Sequence, residues 1–99
     1  MTYEIGTTEA YKLDKGRCRV WGCGKVDVEL HHVIPRSQAI KAFKHQHENL
    51  MCLCTEHHRK VTNKGITMLS ILKSLVNLPD FRWHTALQWH IDREDLRNW

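Results

Sequence analysis

The sequence predicts a small α+β domain: two short strands in mid-chain, a helix straight after the second, and more helices beyond. Three observations carry this. Val26-Asp-Val-Glu-Leu30 alternates apolar and polar side chains, the period of a half-buried strand. Asn49-Leu-Met-Cys-Leu53 is a second apolar run of strand length. After Gly65, apolar residues recur every three or four positions, the period of a helix. The 99 residues fit one domain, residues 1–99, and a core that small gains from a metal staple or an oligomer interface.

Taken in order, residues 7–15 read as a short helix stopped by Gly16. Cys18-Arg-Val-Trp-Gly-Cys23-Gly24 forms a tight glycine-bearing loop. After the first strand, His31-His32-Val33-Ile34 either continues it or begins a partner, and Pro35 argues against a central strand passing through. Residues 37–48 are polar and basic, with a helical turn expected at 38–44. The second strand, 49–53, leads into a helix over 54–64 that Gly65 stops. Ile66, Leu69, Leu72, Lys73 and Val76, with Met68, Ile71, Leu75 and Leu78, give the next helix apolar side chains on more than one face, so it should be well covered. Pro79-Asp80 breaks it, and Asp80 is placed to cap a last helix carrying Trp83, Leu87, Ile91 and Glu94. Trp83, Trp89 and Trp99 suit either a core or a homodimer interface through the C-terminal helices.

Charge is unevenly spread. Residues 11–65 hold eleven Lys or Arg against five Asp or Glu, although the whole chain carries only +4. That stretch also holds all four Cys and six of the eight His, and its positive field suits a polyanion such as nucleic acid. Met1-Thr-Tyr-Glu-Ile-Gly lacks a basic region followed by an apolar run, so no targeting segment is expected. No run approaches the roughly 20 apolar residues that span a bilayer, so no membrane partner is expected and a cytoplasmic location is the default. In a reducing compartment, cysteines serve as metal ligands or core residues more often than as disulfides.

Cys18 and Cys23 are separated by four residues, and Cys54 and His57 by two. Two short-spaced pairs on separate loops supply the four soft or borderline ligands of a tetrahedral structural Zn²⁺. Gly22 eases the bend that turns both thiolates of the first pair to one ion. The adjacent His57 and His58 both offer the fourth ligand. Cys52 lies among Leu50, Met51 and Leu53 and reads as core. His31 and His32, as neighbours on a strand, point to opposite sides and can divide labour between a metal and a water.

The run Glu29-Leu-His-His-Val-Ile-Pro-Arg-Ser37, followed by Glu48-Asn-Leu-Met-Cys-Leu-Cys-Thr-Glu-His-His-Arg-Lys60, resembles the HNH endonuclease family over about residues 16–64. The resemblance implies a zinc-stapled ββα-metal (His-Me finger) core with a helical extension at about 66–98. His31 would be a metal ligand, His32 the general base and His58 the second ligand. Asn49 would brace the loop or reach the metal. Many relatives carry another ligand a helical turn past the last His. Thr62 and Asn63 stand there instead, so Asn63, water or the DNA phosphate would complete the site. The catalytic divalent cation is left open among Mg²⁺, Mn²⁺, Ni²⁺ and Zn²⁺.

The implied reaction is hydrolysis of DNA phosphodiester bonds to 5′-phosphate and 3′-hydroxyl ends, with RNA left open as a substrate. Arg36, Arg59, Lys60, Arg17 and Arg19 are candidate phosphate contacts, and His45 and His47 are further candidates for metal or substrate. Small proteins of this look occur in phage genomes, mobile elements and restriction systems. Two rival readings stand beside the enzyme. One is a zinc-stapled nucleic-acid-binding module without cleavage, and the other is a protein-interaction domain.

Overall fold

An antiparallel hairpin lies at the centre of the computed structural model, which describes residues 2–63, 65 and 67–97. Strand β1 (Val28–His32) pairs with β2 (Leu50–Cys54), running from Val28 opposite Cys54 to His32 opposite Leu50. The first strand starts two residues later than its alternation suggested, and the His pair closes it. Val26 precedes it and is exposed. The second strand is also shifted, because Asn49 belongs to a single 3₁₀ turn, His47–Asn49.

A two-stranded ribbon is marginal in water and must be covered. Every residue of β2 is buried. Helices α1 (Thr2–Leu13) and α2 (Thr55–Thr62) pack against it. Helices α3 (Met68–Leu75) and α4 (His84–Arg97) pack on each other, and Phe81 and Trp83 between them join the core around Met51 and Leu53. The described residues thus form a small α+β protein built on a hairpin with four α-helices.

Helix α1 begins earlier than expected and runs through Gly6, a residue that costs a helix interior about 1 kcal/mol relative to Ala. The reason is a close approach: a Cβ on Gly6 would collide with the backbone carbonyl oxygen of His45. The helix ends as Gly16 suggested. The Gly16 N–H donates to the Tyr11 carbonyl at 3.0 Å and the Lys15 N–H to that of Lys12 at 3.1 Å, a Schellman stop with Lys15 at φ 55°.

Helix α2 is shorter than residues 54–64. Cys54 is its cap, with Sγ accepting from the His57 N–H, and Asn63 closes it; Lys64 lies outside the described residues. Helix α3 is capped by the Thr67 hydroxyl, which accepts from the Ser70 N–H at 3.1 Å. It buries Met68, Ile71, Leu72 and Leu75, while Ile66 lies outside the described residues. Residues 38–44 form turns on the carbonyls of Pro35 and Ile40 rather than a helix. Asp80 does not cap the last helix, which starts at His84; its carboxylate pairs with Arg19 at 3.1 Å instead. Trp83 is core, Trp89 is half-buried beneath the Arg93 guanidinium, and Trp99 lies outside the described residues.

A buried ion pair ties the end of α1 and the segment before α4 to the hairpin. The Asp14 carboxylate receives two Arg82 N–H bonds, at 2.7 and 3.0 Å, and the Cys52 backbone N–H at 2.9 Å. Arg82 also donates to the carbonyls of His47 and Leu50, and its guanidinium stacks 4.1 Å from the Trp83 ring centroid. Asp14→Ala would strand this guanidinium and a strand N–H without their acceptor. The expected loss of unfolding free energy is about 3–5 kcal/mol, measured by urea titration. A loss below about 1 kcal/mol, the size of an exposed ion pair, would contradict the reading.

Candidate functional site

Two clusters flank the hairpin, and α2 contributes to both. The first joins Cys18, Cys23, Cys54 and His57, whose ligand atoms all lie within 4.8 Å of one another. The Cys23 and Cys54 sulfurs are 3.9 Å apart, and His57 Nδ1 is 3.5 Å from Cys18 Sγ and 3.2 Å from Cys54 Sγ. Zinc bonds of about 2.3 Å to sulfur and 2.0–2.1 Å to nitrogen give a tetrahedron with edges of roughly 3.5–3.8 Å. The donor set and its size therefore fit a structural Zn²⁺. His57, not His58, is the fourth residue of the cluster.

Local backbone chemistry builds this cluster. Val20-Trp-Gly-Cys23 is a β-turn closed by the Cys23 N–H on the Val20 carbonyl at 2.9 Å. Gly22 sits at its third position with φ 80°, where a type II turn needs a residue tolerant of positive φ. The Cys18 N–H bonds the Lys25 carbonyl, and the Arg19 N–H bonds that of Cys52, which docks the loop beside β2. Burial pushes the Cys18 thiol up to about 11. Cys23 lies below its ordinary value: burial opposes this, but the Lys25 N–H and the Cys18 and Cys54 thiols outweigh it. A coordinated ion deprotonates such thiols outright. Cys52 stays apart as core, pushed up to about 12 by burial and by Asp14.

The second cluster is made of histidines. His31 on β1 and His58 on α2 face each other edge to face, with ring centroids 5.2 Å apart. Glu29 lies two residues before His31, on the same strand face, and its carboxylate is hydrogen-bonded to His58 Nδ1. On the opposite face, His32 Nε2 lies 3.1 Å from His45 Nδ1. His90 of α4 bonds the Val33 carbonyl through Nε2 at 2.7 Å. Asn49 is buried and fully committed to the backbone. Its Oδ1 accepts from the Ile34 N–H at 2.7 Å, and its Nδ2 donates to the carbonyls of Ile34 and Lys44 at 3.1 and 3.0 Å. The alternative of Asn49 as a metal ligand is thereby corrected: its amide is spent as a clamp on the loop between the strands.

Burial, then the neighbouring His58, His32 and His90, hold His31 down at about 4. His32 is held at about 4 by burial, then by His45, Arg36 and Lys44. Unfolded histidines titrate near 6.5, so the unfolded chain takes up protons first as pH falls. The resulting stability is fully present above about pH 6.5 and is lost on the way down to about 4. The urea midpoint of the wild-type protein should therefore fall more steeply between pH 7.5 and 5 than that of His31→Gln. Zinc ligands protonate in both proteins, so the difference isolates His31. An equal fall in the two would contradict the effect.

Not every candidate converges. Asn63 is exposed at the end of α2, and the Thr62 hydroxyl donates back to the His58 carbonyl at 2.9 Å. Among the described residues the Cys₃His cluster alone gathers three or more Cys, His, Asp or Glu ligand atoms so closely. Arg19 is turned inward onto Asp14 and Asp80, which corrects its candidacy as a phosphate contact. Lys60 shares Glu56 with Lys25; Lys25 first and then Lys60 draw that carboxyl down to about 2. Arg17 donates to the Gly24 carbonyl, Arg36 and Arg59 are exposed, and His47 pairs with Glu48. Neither Glu29 nor Lys44 stands out in the sequence as a site residue. For Glu29 a signal existed in its spacing of two from His31 on an alternating strand.

No family model, curated protein or solved structure matches the chain. Among the described residues no helix is long and apolar enough to cross a membrane.

Proposed function

We propose that this protein is a metal-dependent nuclease of the HNH type that hydrolyses DNA phosphodiester bonds. The observation that carries the reading is the opposition of His31 and His58 at 5.2 Å between ring centroids, with Glu29 on His58 Nδ1. Two imidazoles bound to one ion at a tetrahedral angle would have centroids about 5 Å apart, given metal–nitrogen bonds of about 2.0–2.1 Å. The carboxylate leaves Nε2 of His58 as its ligand atom, the usual arrangement around a metal-bound histidine. The residues present fit such an ion through His31 and His58, and water and the scissile phosphate would fill the other positions.

A divalent cation there supplies Lewis-acid stabilisation of the charge that grows on the phosphate and on the departing 3′ oxygen. The chain's own residues do the rest. His32 is unprotonated at neutral pH and takes a proton from the attacking water, whose oxygen bonds to phosphorus as the bond to the 3′ oxygen breaks. The leaving oxygen collects its proton from solvent. Arrival of the anionic phosphate favours the protonated imidazole and so strengthens His32 as a base. Arg36 and Lys44, both close enough to act on His32, offer cations to that phosphate.

Incubation of the purified protein with plasmid DNA and Mg²⁺, Mn²⁺, Ni²⁺ or a chelator tests the reading. Ion-dependent nicking or linearisation is expected. A salt-sensitive gel shift without cutting would instead identify a zinc-stapled binding module, and absence of both would point to a protein-interaction domain.

A further inference from the structure

The long segment between the two strands brings a second imidazole onto His32, and its geometry assigns that imidazole a task. We propose that His45 is the positioning residue of the general base, accepting the His32 Nε2–H on its own Nδ1 and so leaving His32 Nδ1 with its lone pair. The inference rests on the nuclease reading above.

The assignment follows from counting protons. A neutral imidazole has one N–H and one lone pair. The two facing nitrogens, His32 Nε2 and His45 Nδ1, are 3.1 Å apart, a hydrogen-bond distance, so one donates and the other accepts. Were His45 the donor, the His32 proton would sit on Nδ1, and its remaining nitrogen could not receive a proton from water. With His32 as donor, Nδ1 is bare and basic. The second arrangement alone is compatible with general-base work. The logic matches that of an aspartate orienting a catalytic histidine, but a neutral imidazole does it without placing a negative charge beside an anionic substrate.

The backbone of His45 is held for this purpose from two sides. Gly6 of α1 lies so close to its carbonyl oxygen that no side chain fits there. The preceding carbonyl, of Lys44, accepts from the buried Asn49 amide at 3.0 Å. A helical glycine and a buried asparagine thus converge on one loop residue whose side chain touches His32.

The test uses the full zinc-loaded chain, Mn²⁺ as the added ion, and the variants His45→Ala and His45→Asn, since the asparagine oxygen stands near the position of Nδ1. His45→Ala should lower kcat for plasmid cleavage about 10- to 100-fold with KM nearly unchanged, the usual cost of losing an orienting partner. His45→Asn should recover most of that loss. Long-range ¹H–¹⁵N spectra, assigned against His32→Ala, should show His32 protonated on Nε2 in the wild type and on both nitrogens in exchange in His45→Ala.

Unchanged kcat in His45→Ala overturns the inference alone. So does a wild-type His32 protonated on Nδ1, or loss of a bound Mn²⁺ in His45→Ala, which would make His45 a ligand. No cleavage by the wild type with any ion removes the nuclease reading, and the inference falls with it. A His45→Ala that fails to fold leaves the decision to the wild-type tautomer.

Discussion

Replacing Cys18 by Ser is expected to release zinc and unfold the chain. Apparent zinc-binding free energies of about 10–16 kcal/mol in small zinc-stabilised peptides match or exceed the whole 5–15 kcal/mol stability of an ordinary domain. Here the ion would join three separate pieces: the 18–23 loop, the end of β2 and the first turn of α2. Without it, Cys18 and Cys54 become buried thiols whose shared contact is the His57 imidazole, at 3.5 and 3.2 Å, and the loop keeps mainly its backbone bonds to Lys25 and Cys52. Cys52→Ser is the control, because it also buries a hydroxyl but removes no ligand. Zinc content by elemental analysis and helicity by circular dichroism should fall in Cys18→Ser, whereas Cys52→Ser keeps its zinc. Stoichiometric zinc in folded Cys18→Ser would reject the staple.

His32→Ala is expected to abolish detectable DNA cleavage while fold and zinc content persist. A general base contributes about 10²–10⁴ in rate. The fold should survive because His32 enters the hairpin through its backbone, opposite Leu50, and its side chain is only half-buried. Truncation also removes an imidazole held neutral against its ordinary titration, so stability below pH 6 should rise slightly. Cleavage within about tenfold of the wild-type rate falls short of any general-base contribution and would reject the assignment.

Much of this architecture is legible in the sequence, for reasons that also explain what is not. Alternation marks a strand but not where its partner begins, so it extends β1 back to Val26 although the pairing starts at Val28 opposite Cys54. The Cys18/Cys23 and Cys54/His57 spacings announce a four-ligand cluster because each pair is local. The choice between His57 and His58 is not local. Adjacent residues on a helix point about 100° apart, and only the placement of α2 against the hairpin sends His57 to the thiolates and His58 to Glu29. Gly6 reads as a helix breaker unless the His45 carbonyl it admits is known. Asp14 and Arg82 meet across 68 positions, and no spacing rule couples residues so far apart.

That last separation has a consequence for synthesis on the ribosome. Every member of the zinc and histidine clusters except His90 has been made once His58 is added. The Leu50 carbonyl and the Asp14 carboxylate, however, wait for Arg82 and Trp83. At translation rates of about 5–20 residues per second, the interval is about one to five seconds. All four residues of the Cys₃His cluster therefore exist before the C-terminal donors to Leu50 and Asp14 do, so assembly of the cluster does not have to wait for that part of the core.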